Sequence, residues 1–552
     1  MSEILNRKIN TYRTSIICFM IDLLHTISLS LLKLIQLMQA TINFLDIGVI
    51  LAYLYLIVHC SIKVTKNQKR TTRDYSVANR SIGGTALGLS IFATYISNMG
   101  FLAMPGKAYT ANWSYLVMHF TIPLALILCL KFVVPIYRKS NDICSYTQLG
   151  RKYGQWASVY ASTLFIIINI VRMAMILYLV SLTFTAISGV SQLWTLLIGG
   201  IFITLYTCFG GIRAVISTDI IQAYSLLLGA IIIAGFILIK MPGGISQIIE
   251  IGLQNQKFSL GDFSPSLKIN TFWIVLMSGF IWYFESFSLD QQYVARIFSA
   301  KSTSDAKKGL IIGSILLVIS TALFYFLGTS LYAFYKINPG NLDASISLLG
   351  NDAILPFFII HELPNGLKGL LLVAIIASAM SSVDSIINSV STTLYSEIYS
   401  PLLKKSRPPS DTTSISFLRL TSLIGGVLAI LMALNFNRFE SILDGWIEFC
   451  TLLSGASLGL FAMQLIAKKT TPKIAIYSSF IGLCFITWLV ISTYFPHALG
   501  SYASPFSSLL SEFLVVLVTI ITSFLLIMLK QFKKKLPGSI RSSTQNHPNH
   551  HI

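Results

Sequence analysis

Apolar stretches of about 20 residues recur along almost the whole chain, with only short polar connections between them. A helix of about 20 residues crosses the hydrocarbon core of a bilayer, which is roughly 30 Å thick. Hydrophobic residues make up 54% of the 552 residues and charged residues only 11%, which leaves too little polar surface for a water-soluble protein of this size. The chain is therefore predicted to be a single all-α domain within a membrane.

The apolar windows between polar breaks predict thirteen transmembrane helices. They lie near residues 43–62, 82–108, 113–135, 156–187, 190–209, 215–240, 271–290, 308–336, 365–398, 415–435, 438–467, 472–495 and 506–530.

Lys and Arg concentrate in alternate connections, and the positive-inside rule places these in the cytoplasm together with the C-terminal tail. The basic connections are Lys63 to Arg80, Arg138 to Lys152, Arg213, Arg296 to Lys308, Lys404 to Arg419, Lys468 to Lys473 and the tail from Lys530. The formal charge of +19 thus reflects topology and does not indicate a nucleic-acid partner. The expected location is the inner membrane of a bacterium, crossed many times.

The start of the chain allows three interpretations. Residues 16–37 are apolar but carry Asp22, His25 and Lys33. They form either an amphipathic segment at the membrane surface or a fourteenth span. The third possibility is that the true chain begins at Met38 and that the residues before it are an artefact of an upstream start. Residues 1–42 are accordingly described only as an N-terminal extension.

Two predicted spans are interrupted near their middle by small, polar or charged residues, at 93–100 and at 282–290. Backbone groups released from a helix are tolerated inside a membrane only where they line a cavity, so a broken helix marks a place for ligands or ions. These are the second and seventh spans, five apart and opposite in orientation, as an inverted repeat of five helices requires. A proline kink in one helix and a polar patch in the other remain the simpler alternative.

Hydroxyl groups cluster on one helical face of the predicted span 365–398, where Ser378, Ser381 and Ser382 occur. The hydroxyls of Ser381 and Ser382, joined by carbonyls of the broken segment, would surround a small hard cation with oxygen. Sodium suits such a site. Close packing of helices through small residues is the structural alternative.

Arg172 lies near the centre of its predicted span, where a guanidinium without a partner costs at least about 2.5 kcal/mol. Its planar fork matches a carboxylate through two hydrogen bonds. That carboxylate belongs either to the protein, with Glu285 as the candidate, or to an anionic solute.

Asp219 lies just inside the cytoplasmic end of its span, where the helix dipole favours an acid for structural reasons. Its functional alternative is to assist the release of a coupling ion.

Outside the predicted spans we find no nucleotide-binding loop, HExxH pattern or nucleophile elbow. Neither an ATP-driven pump nor an enzyme is therefore predicted, and transport would draw on an ion gradient. The seven cysteines form no CxxC pair and are expected to be packing residues.

Three ordered motifs resemble those of the sodium:solute symporter family, and the resemblance extends over roughly residues 42–530. The motifs are GGIRAVISTDIIQ at 210–222, DQ at 290–291 followed by RIFSAKS at 296–302 and AKKG at 306–309, and AMSSVDS at 379–385. The resemblance implies an all-α membrane protein of two inverted five-helix repeats, a LeuT-like core, with flanking helices. Such a protein alternates between outward and inward access, uses sodium and is not an enzyme.

With the predicted spans, the resemblance divides the chain into six parts. They are the extension 1–42, an additional first span at 43–62, five-helix repeats at 82–240 and 271–467, two C-terminal spans at 472–530 and a basic cytoplasmic tail at 531–552.

The resemblance also implies a set of sodium ligands. These are carbonyl groups of Ala93 and Ile96, a contribution from Ser378, and the hydroxyls of Ser381 and Ser382. It places Asp219 close to this ion, either on its exit path or in a second sodium site.

Within the family the chain is most similar to the bacterial sialic acid symporters, in which an Arg on the third core helix holds the substrate carboxylate. Arg172 and Ser97 match that pattern, and the other substrate-binding positions that it implies are Tyr95, Gly100, His119 and Phe280. Tyr95 and His119 stand where smaller or amide-bearing side chains are expected. The part of the pocket that binds the hydroxyls of a sugar is therefore expected to differ.

The predicted function is sodium-driven symport of a small organic solute, a carboxylate such as N-acetylneuraminate. The alternatives are another organic anion or zwitterion, such as a monocarboxylate, an amino acid or pantothenate, and a solute sensor that keeps the transporter fold. A passive channel is the weakest alternative, since no ring of repeated acids is visible. The expected partners are the solute, sodium and membrane lipid, without nucleic acid.

Overall fold

The computed structural model describes residues 43–535, apart from 67, 69, 70, 98, 343–352, 404–409, 437–441 and 468. The predictions for residues 1–42 and for the tail beyond Lys535 lie outside the described residues.

The described chain is helical in each of its long apolar stretches. The main helices are α1 (Phe44–Lys66), α2 (Gly84–Tyr95), α3 (Gly100–Thr110), α4 (Ser114–Lys139), α5 (Gln155–Ser188), α6 (Gln192–Lys240), α7 (Phe272–Ser288), α8 (Gln291–Ser299), α9 (Thr303–Ile337), α10 (Leu367–Thr393), α11 (Asp411–Ala433), α12 (Ile442–Leu465), α13 (Pro472–Tyr494) and α14 (Ser511–Lys535). Shorter helices occupy connections, at Thr72–Val77, Thr147–Tyr153, Gly244–Gln254 and Ile354–Glu362.

Within the described residues, nine helices are long and apolar enough to cross a membrane, or up to eleven if each bent pair counts as one span. The longest, α6, has 49 residues, which at about 1.5 Å per residue is far longer than a bilayer core of about 30 Å. It is broken at Gly211 (φ 58°, ψ −176°), where a Cβ atom would lie 2.8 Å from the carbonyl oxygen of Tyr75. The predicted spans 190–209 and 215–240 fall on the two sides of this break, while the total of thirteen spans stays a prediction.

The two interruptions predicted from the sequence are confirmed as breaks between helices. The axes of α2 and α3 differ by 63°, and those of α7 and α8 by 44°. At the first break Ile96 leaves the helical conformation with a ψ of 83°. At the second, the side chain of Asp290 caps α8 by accepting a hydrogen bond of 2.8 Å from the backbone N–H of Gln292.

Burial identifies the centre of the helix bundle. Of the most apolar window of α10, 89% is buried inside the protein, compared with 28% for α1. Large apolar side chains on the outer helices, such as Leu205, Phe209 and Ile231, are exposed, as expected for surfaces that face lipid. The serine-rich helix α10 is therefore enclosed by the others, and it packs beside the broken helix α2.

Candidate functional site

A cavity opens where the two broken helices meet. Its wall comes from both breaks and from α4, α5, α12 and α14, and it includes Tyr95, Ser97, Gly100, His119, Arg172, Trp282, Tyr283, Glu285, Asp290, Tyr293, Ser454 and Glu512. Five of the six predicted substrate-binding residues thus face one space. The sixth, Phe280, is not among the residues that line this described cavity; its ring stacks on Phe284 with centroids 6.1 Å apart.

Aromatic residues join the two breaks directly. The indole N–H of Trp282 donates a hydrogen bond of 2.8 Å to the hydroxyl oxygen of Tyr95. The ring of Tyr95 also stacks on Tyr283, with centroids 5.4 Å apart, and lies 5.7 Å from that of Tyr293. The large side chain at position 95 is therefore a structural link between the broken helices as well as part of the cavity wall.

His119 has an unsatisfied ring nitrogen on the cavity wall. The residue is only 7% exposed, and its Nδ1 has no hydrogen-bond partner among the described residues. A buried polar atom without a hydrogen bond raises the free energy of the folded protein. Its ring also packs against those of Tyr283 and Tyr325, with centroids 5.6 and 6.5 Å apart. The residue is therefore placed both for packing between helices and for contact with a solute in the cavity.

Arg172 lies halfway along α5 and faces the cavity. Tyr293 and Asp290 are the neighbours that act on its charge most strongly. Glu285, the partner suggested by the sequence, lines the same cavity. The carboxylate of Asp290 is already shared with the helix cap, because it accepts hydrogen bonds from the backbone and the side chain of Gln292.

The residues predicted to bind sodium meet where α2 ends against α10. Each member of the set, Ala93, Ile96, Ser378, Ser381 and Ser382, is fully buried. The hydroxyl of Ser382 donates a hydrogen bond of 3.1 Å to the carbonyl oxygen of Thr94, and the hydroxyls of Thr94 and Ser385 are also 3.1 Å apart. The hydroxyl of Ser381 donates a hydrogen bond of 3.2 Å to the carbonyl oxygen of Ser378 within α10. Carbonyls in the last turn of a helix lack intrahelical partners, so the end of α2 offers hard oxygen atoms, of the kind that suits sodium, beside these serines.

Asp219 forms a wholly buried ion pair with Arg296. One of its oxygens lies 3.0 Å from a guanidinium nitrogen of Arg296, and both side chains are 0% exposed. The same oxygen accepts a hydrogen bond of 2.5 Å from Ser90. Arg296 donates further hydrogen bonds to Thr94 and Ser385, at 2.8 and 2.6 Å, and so connects Asp219 to the predicted sodium ligands.

The sequence analysis did not predict the positions of two residues, Arg296 beside Asp219 and Glu512 on the cavity wall. Arg296 was assigned to a cytoplasmic connection, and this is wrong: helix α8 is buried along its whole length, and the charge of Arg296 is tolerated because Asp219 pairs with it. A usable signal was present, since both residues belong to the family motifs. Glu512 was also missed, because α14 lies outside the two predicted repeats and its sequence shows only one acid at the start of an apolar span.

Replacing Asp219 with Asn is expected to lower the thermal stability of the purified protein. The guanidinium of Arg296 would remain buried without its counter-charge, and breaking such a pair from one side costs about 3–5 kcal/mol. The measurement is the unfolding temperature in detergent, with Asp262→Asn, in an exposed connection, as the control. An unchanged unfolding temperature for Asp219→Asn would show that the ion pair does not stabilise the fold.

A model of the sodium:solute symporter family matches residues 75–482. The chain is 30% identical over 449 residues to the sodium/sialic acid symporter SiaT of Proteus mirabilis, covering 80% of this chain and 88% of that protein. It is 28% identical to the sodium/sialic acid symporter NanT of Aliivibrio fischeri, with coverages of 82% and 88%.

Solved structures agree with these sequence matches. A Na⁺-coupled sialic acid symporter, in a substrate-bound outward-open state, superposes with a TM-score of 0.78 at 27% identity, covering 88% of this chain and 98% of that one. A nucleobase-cation-symport-1 family transporter matches in fold alone, with a TM-score of 0.53 at 13% identity, covering 82% and 94%.

The predicted fold class is therefore confirmed: an all-α membrane protein with a LeuT-like core of inverted repeats and flanking helices. Sodium is the coupling ion, and the protein is a secondary transporter, not an enzyme. Because the family model spans most of the chain, the chain belongs to the sodium:solute symporter family.

Proposed function

We propose that this symporter uses the sodium gradient to take up a sialic acid, N-acetylneuraminate or a closely similar carboxylate. The observation that carries the proposal is the position of Arg172, halfway along its helix on a cavity between two broken helices. The names of the two bacterial relatives support the same class of solute.

In this proposal Arg172 pairs with the carboxylate of the solute, because its planar guanidinium matches that group. Ser97, from the first break, hydrogen-bonds nearby, and Gly100 leaves room for the solute against the backbone. Tyr95 and His119 contact the polar remainder of the molecule. Phe280 has no part in this contact with the solute, because it stacks on Phe284 and neither ring lines the described cavity.

Sodium binds where α2 ends against α10, between the carbonyls of Ala93 and Ile96, Ser378, and the hydroxyls of Ser381 and Ser382. Ser97 and Tyr95 lie on the same broken segment as the two carbonyls. A bound ion would hold that segment against α10 and so fix the groups that meet the solute. Sodium then raises the affinity for the solute, and the solute must raise the affinity for sodium by the same factor.

For Asp219 we favour the exit path of the ion over a second sodium site, since one of its oxygens is held by Arg296. Its other oxygen, one oxygen of Asp384 and the amide of Gln222 have no hydrogen-bond partner in the described part of the chain. Tyr206 donates a hydrogen bond to Asp384 and also lines a second cavity of about 790 Å³. We propose that the ion leaves past these polar groups, towards the side that the basic connections predict to be cytoplasmic.

We also propose how the protein lies in the membrane, from the apolar spans and the distribution of Lys and Arg in the sequence. The protein lies in the inner membrane of a bacterium, with its C-terminus in the cytoplasm. The first span, the two five-helix repeats and the two C-terminal spans keep the bounds predicted from the sequence.

Titration of N-acetylneuraminate into the purified protein tests the proposed solute. We expect saturable binding in sodium chloride and at least about tenfold weaker binding in potassium chloride, a difference of about 1.4 kcal/mol. Equal affinity in the two salts would contradict the coupling. No binding in either, with protein shown to be folded, would reject sialic acid and leave pantothenate, monocarboxylates and amino acids as the next solutes.

A further inference from the structure

Glu512 places a buried carboxyl group on the cavity wall without a hydrogen bond from the described part of the chain. The residue lies in the first turn of α14 and is 1% exposed. Neither of its carboxyl oxygens has a hydrogen-bond partner among the described residues. The hydroxyl of Ser454 on α12 stands close enough to act on this carboxyl group, although the two do not have the geometry of a hydrogen bond.

A carboxyl group in this condition is unfavourable, because burial removes water from its oxygens and nothing replaces the lost hydrogen bonds. Both Glu512 and Ser454 line the cavity that also contains Arg172. A solute in that cavity can therefore supply hydrogen-bond donors in addition to the single hydroxyl of Ser454.

The packing of α14 holds Glu512 in place. Gly455 on α12 brings the two helices together so closely that a Cβ atom there would lie 2.9 Å from the carbonyl oxygen of Glu512. Helix α12 also packs against α5, which carries Arg172. Glu512 and Arg172 are thus presented to the cavity by helices in a continuous packed unit.

The charges around the cavity also favour a solute that carries hydrogen-bond donors. Glu285, Asp290 and Glu512 line it together with Arg172 as the single arginine on its described wall, and Glu285 interacts electrostatically with both other acids. Three acids beside one cation favour a solute that brings hydrogen-bond donors as well as a carboxylate. A carboxylate without donors would pair with Arg172 and give Glu512 no hydrogen-bond donor.

We propose that Glu512 is a specificity-determining residue, which accepts hydrogen bonds from O–H or N–H donors of a solute whose carboxylate lies at Arg172. This inference rests on the proposed function, since it concerns the same cavity. It assigns the solute to the carboxylic acids that also carry hydroxyl or ammonium donors. It also gives the C-terminal helix α14, outside the two repeats, a direct part in recognition.

The test compares wild type with Glu512→Met, which removes both acceptor oxygens and keeps the length of the side chain. The control is Glu250→Met, which removes an exposed acid on a short outer helix. Sodium-driven uptake of labelled N-acetylneuraminate into proteoliposomes gives KM and Vmax for each. Competition then uses three unlabelled analogues: one without the terminal hydroxyls, one with an ammonium group in place of the acetamido group, and donor-free pyruvate. The first two distinguish a hydroxyl from an ammonium as the donor that Glu512 accepts.

We expect Glu512→Met to raise KM at least about tenfold with Vmax within about twofold, and to reduce the preference for donor-bearing analogues at least about fivefold. The control should match wild type. A raised KM with unchanged preference among the analogues would show only a packing role for Glu512 and overturn the proposal, as would unchanged kinetics.

If wild type takes up no N-acetylneuraminate, the sialic acid assignment fails and the specificity proposal is tested separately. Uptake of labelled alanine and pyruvate, a carboxylate with a donor and one without, is then compared in wild type and Glu512→Met. The proposal requires wild type to prefer alanine and the variant to lose that preference. Equal uptake of the two solutes by wild type, or a preference that survives in the variant, overturns it.

Discussion

Replacing Arg172 with Ala is expected to abolish measurable sodium-driven uptake of the solute. The side chain lies halfway along α5 on the cavity wall, and in our proposal it is the partner of the solute's carboxylate. Truncating one side of a buried charge pair costs about 2–5 kcal/mol, because the other charge is left without a partner. A loss near 3 kcal/mol lowers uptake efficiency more than about 100-fold. Initial rates of uptake over a range of solute concentrations measure this loss.

The variant Arg172→Lys separates charge from geometry. Lysine keeps the positive charge but lacks the planar fork that matches a carboxylate, so we expect a raised KM with part of Vmax retained. Uptake by Arg172→Ala with a normal KM would contradict the proposal. It would show that Arg172 serves Asp290 and Tyr293 within the protein and does not bind the solute.

Replacing both Ser381 and Ser382 with Ala is expected to raise the sodium concentration for half-maximal uptake about 100-fold. This assumes that each hydroxyl contributes about tenfold to the sodium affinity, or about 1.4 kcal/mol of binding free energy. Both residues are fully buried on α10, and Ser382 contacts the end of α2 through the carbonyl of Thr94. Removing the hydroxyls takes two hard oxygen ligands from the proposed site. The discrimination between solutes should change little, because the cavity wall is intact.

Ser391→Ala is the matched control for the double variant. Ser391 lies on the same helix, is equally buried, and donates its hydrogen bond to the carbonyl of Asn388, away from α2. It should show wild-type sodium activation. If the double variant also kept wild-type activation, the hydroxyls of Ser381 and Ser382 would belong to helix packing and the sodium site would lie elsewhere.

The fold was largely predictable, because span length and hydropathy are local properties of a membrane sequence. The breaks at Ile96 and near Asp290 were visible for the same reason: polar and small residues inside an apolar run are expensive unless they line a cavity. The break at Gly211 lies between two predicted spans, so its place in the sequence was predictable. Its conformation was not, because it depends on the close approach of the backbone of Tyr75.

The candidate site was predictable only in part, since most of it comes from contacts between distant segments. Arg296 was assigned to the cytoplasm because a positive charge near the end of a span normally indicates a cytoplasmic connection. Its burial depends on Asp219, 77 residues earlier. The role proposed for Glu512 depends on how α14 packs against α12, which the sequence of α14 alone does not reveal.

Sodium dependence of solute accumulation tests the central claim most directly. Proteoliposomes that contain the purified protein receive labelled N-acetylneuraminate under an inward sodium gradient, and in parallel under an equal potassium gradient. We predict accumulation above the external concentration with sodium only, and its collapse when an ionophore dissipates the gradient. Equal uptake with both ions, or uptake that stops at the external concentration, would contradict sodium-coupled symport of this solute.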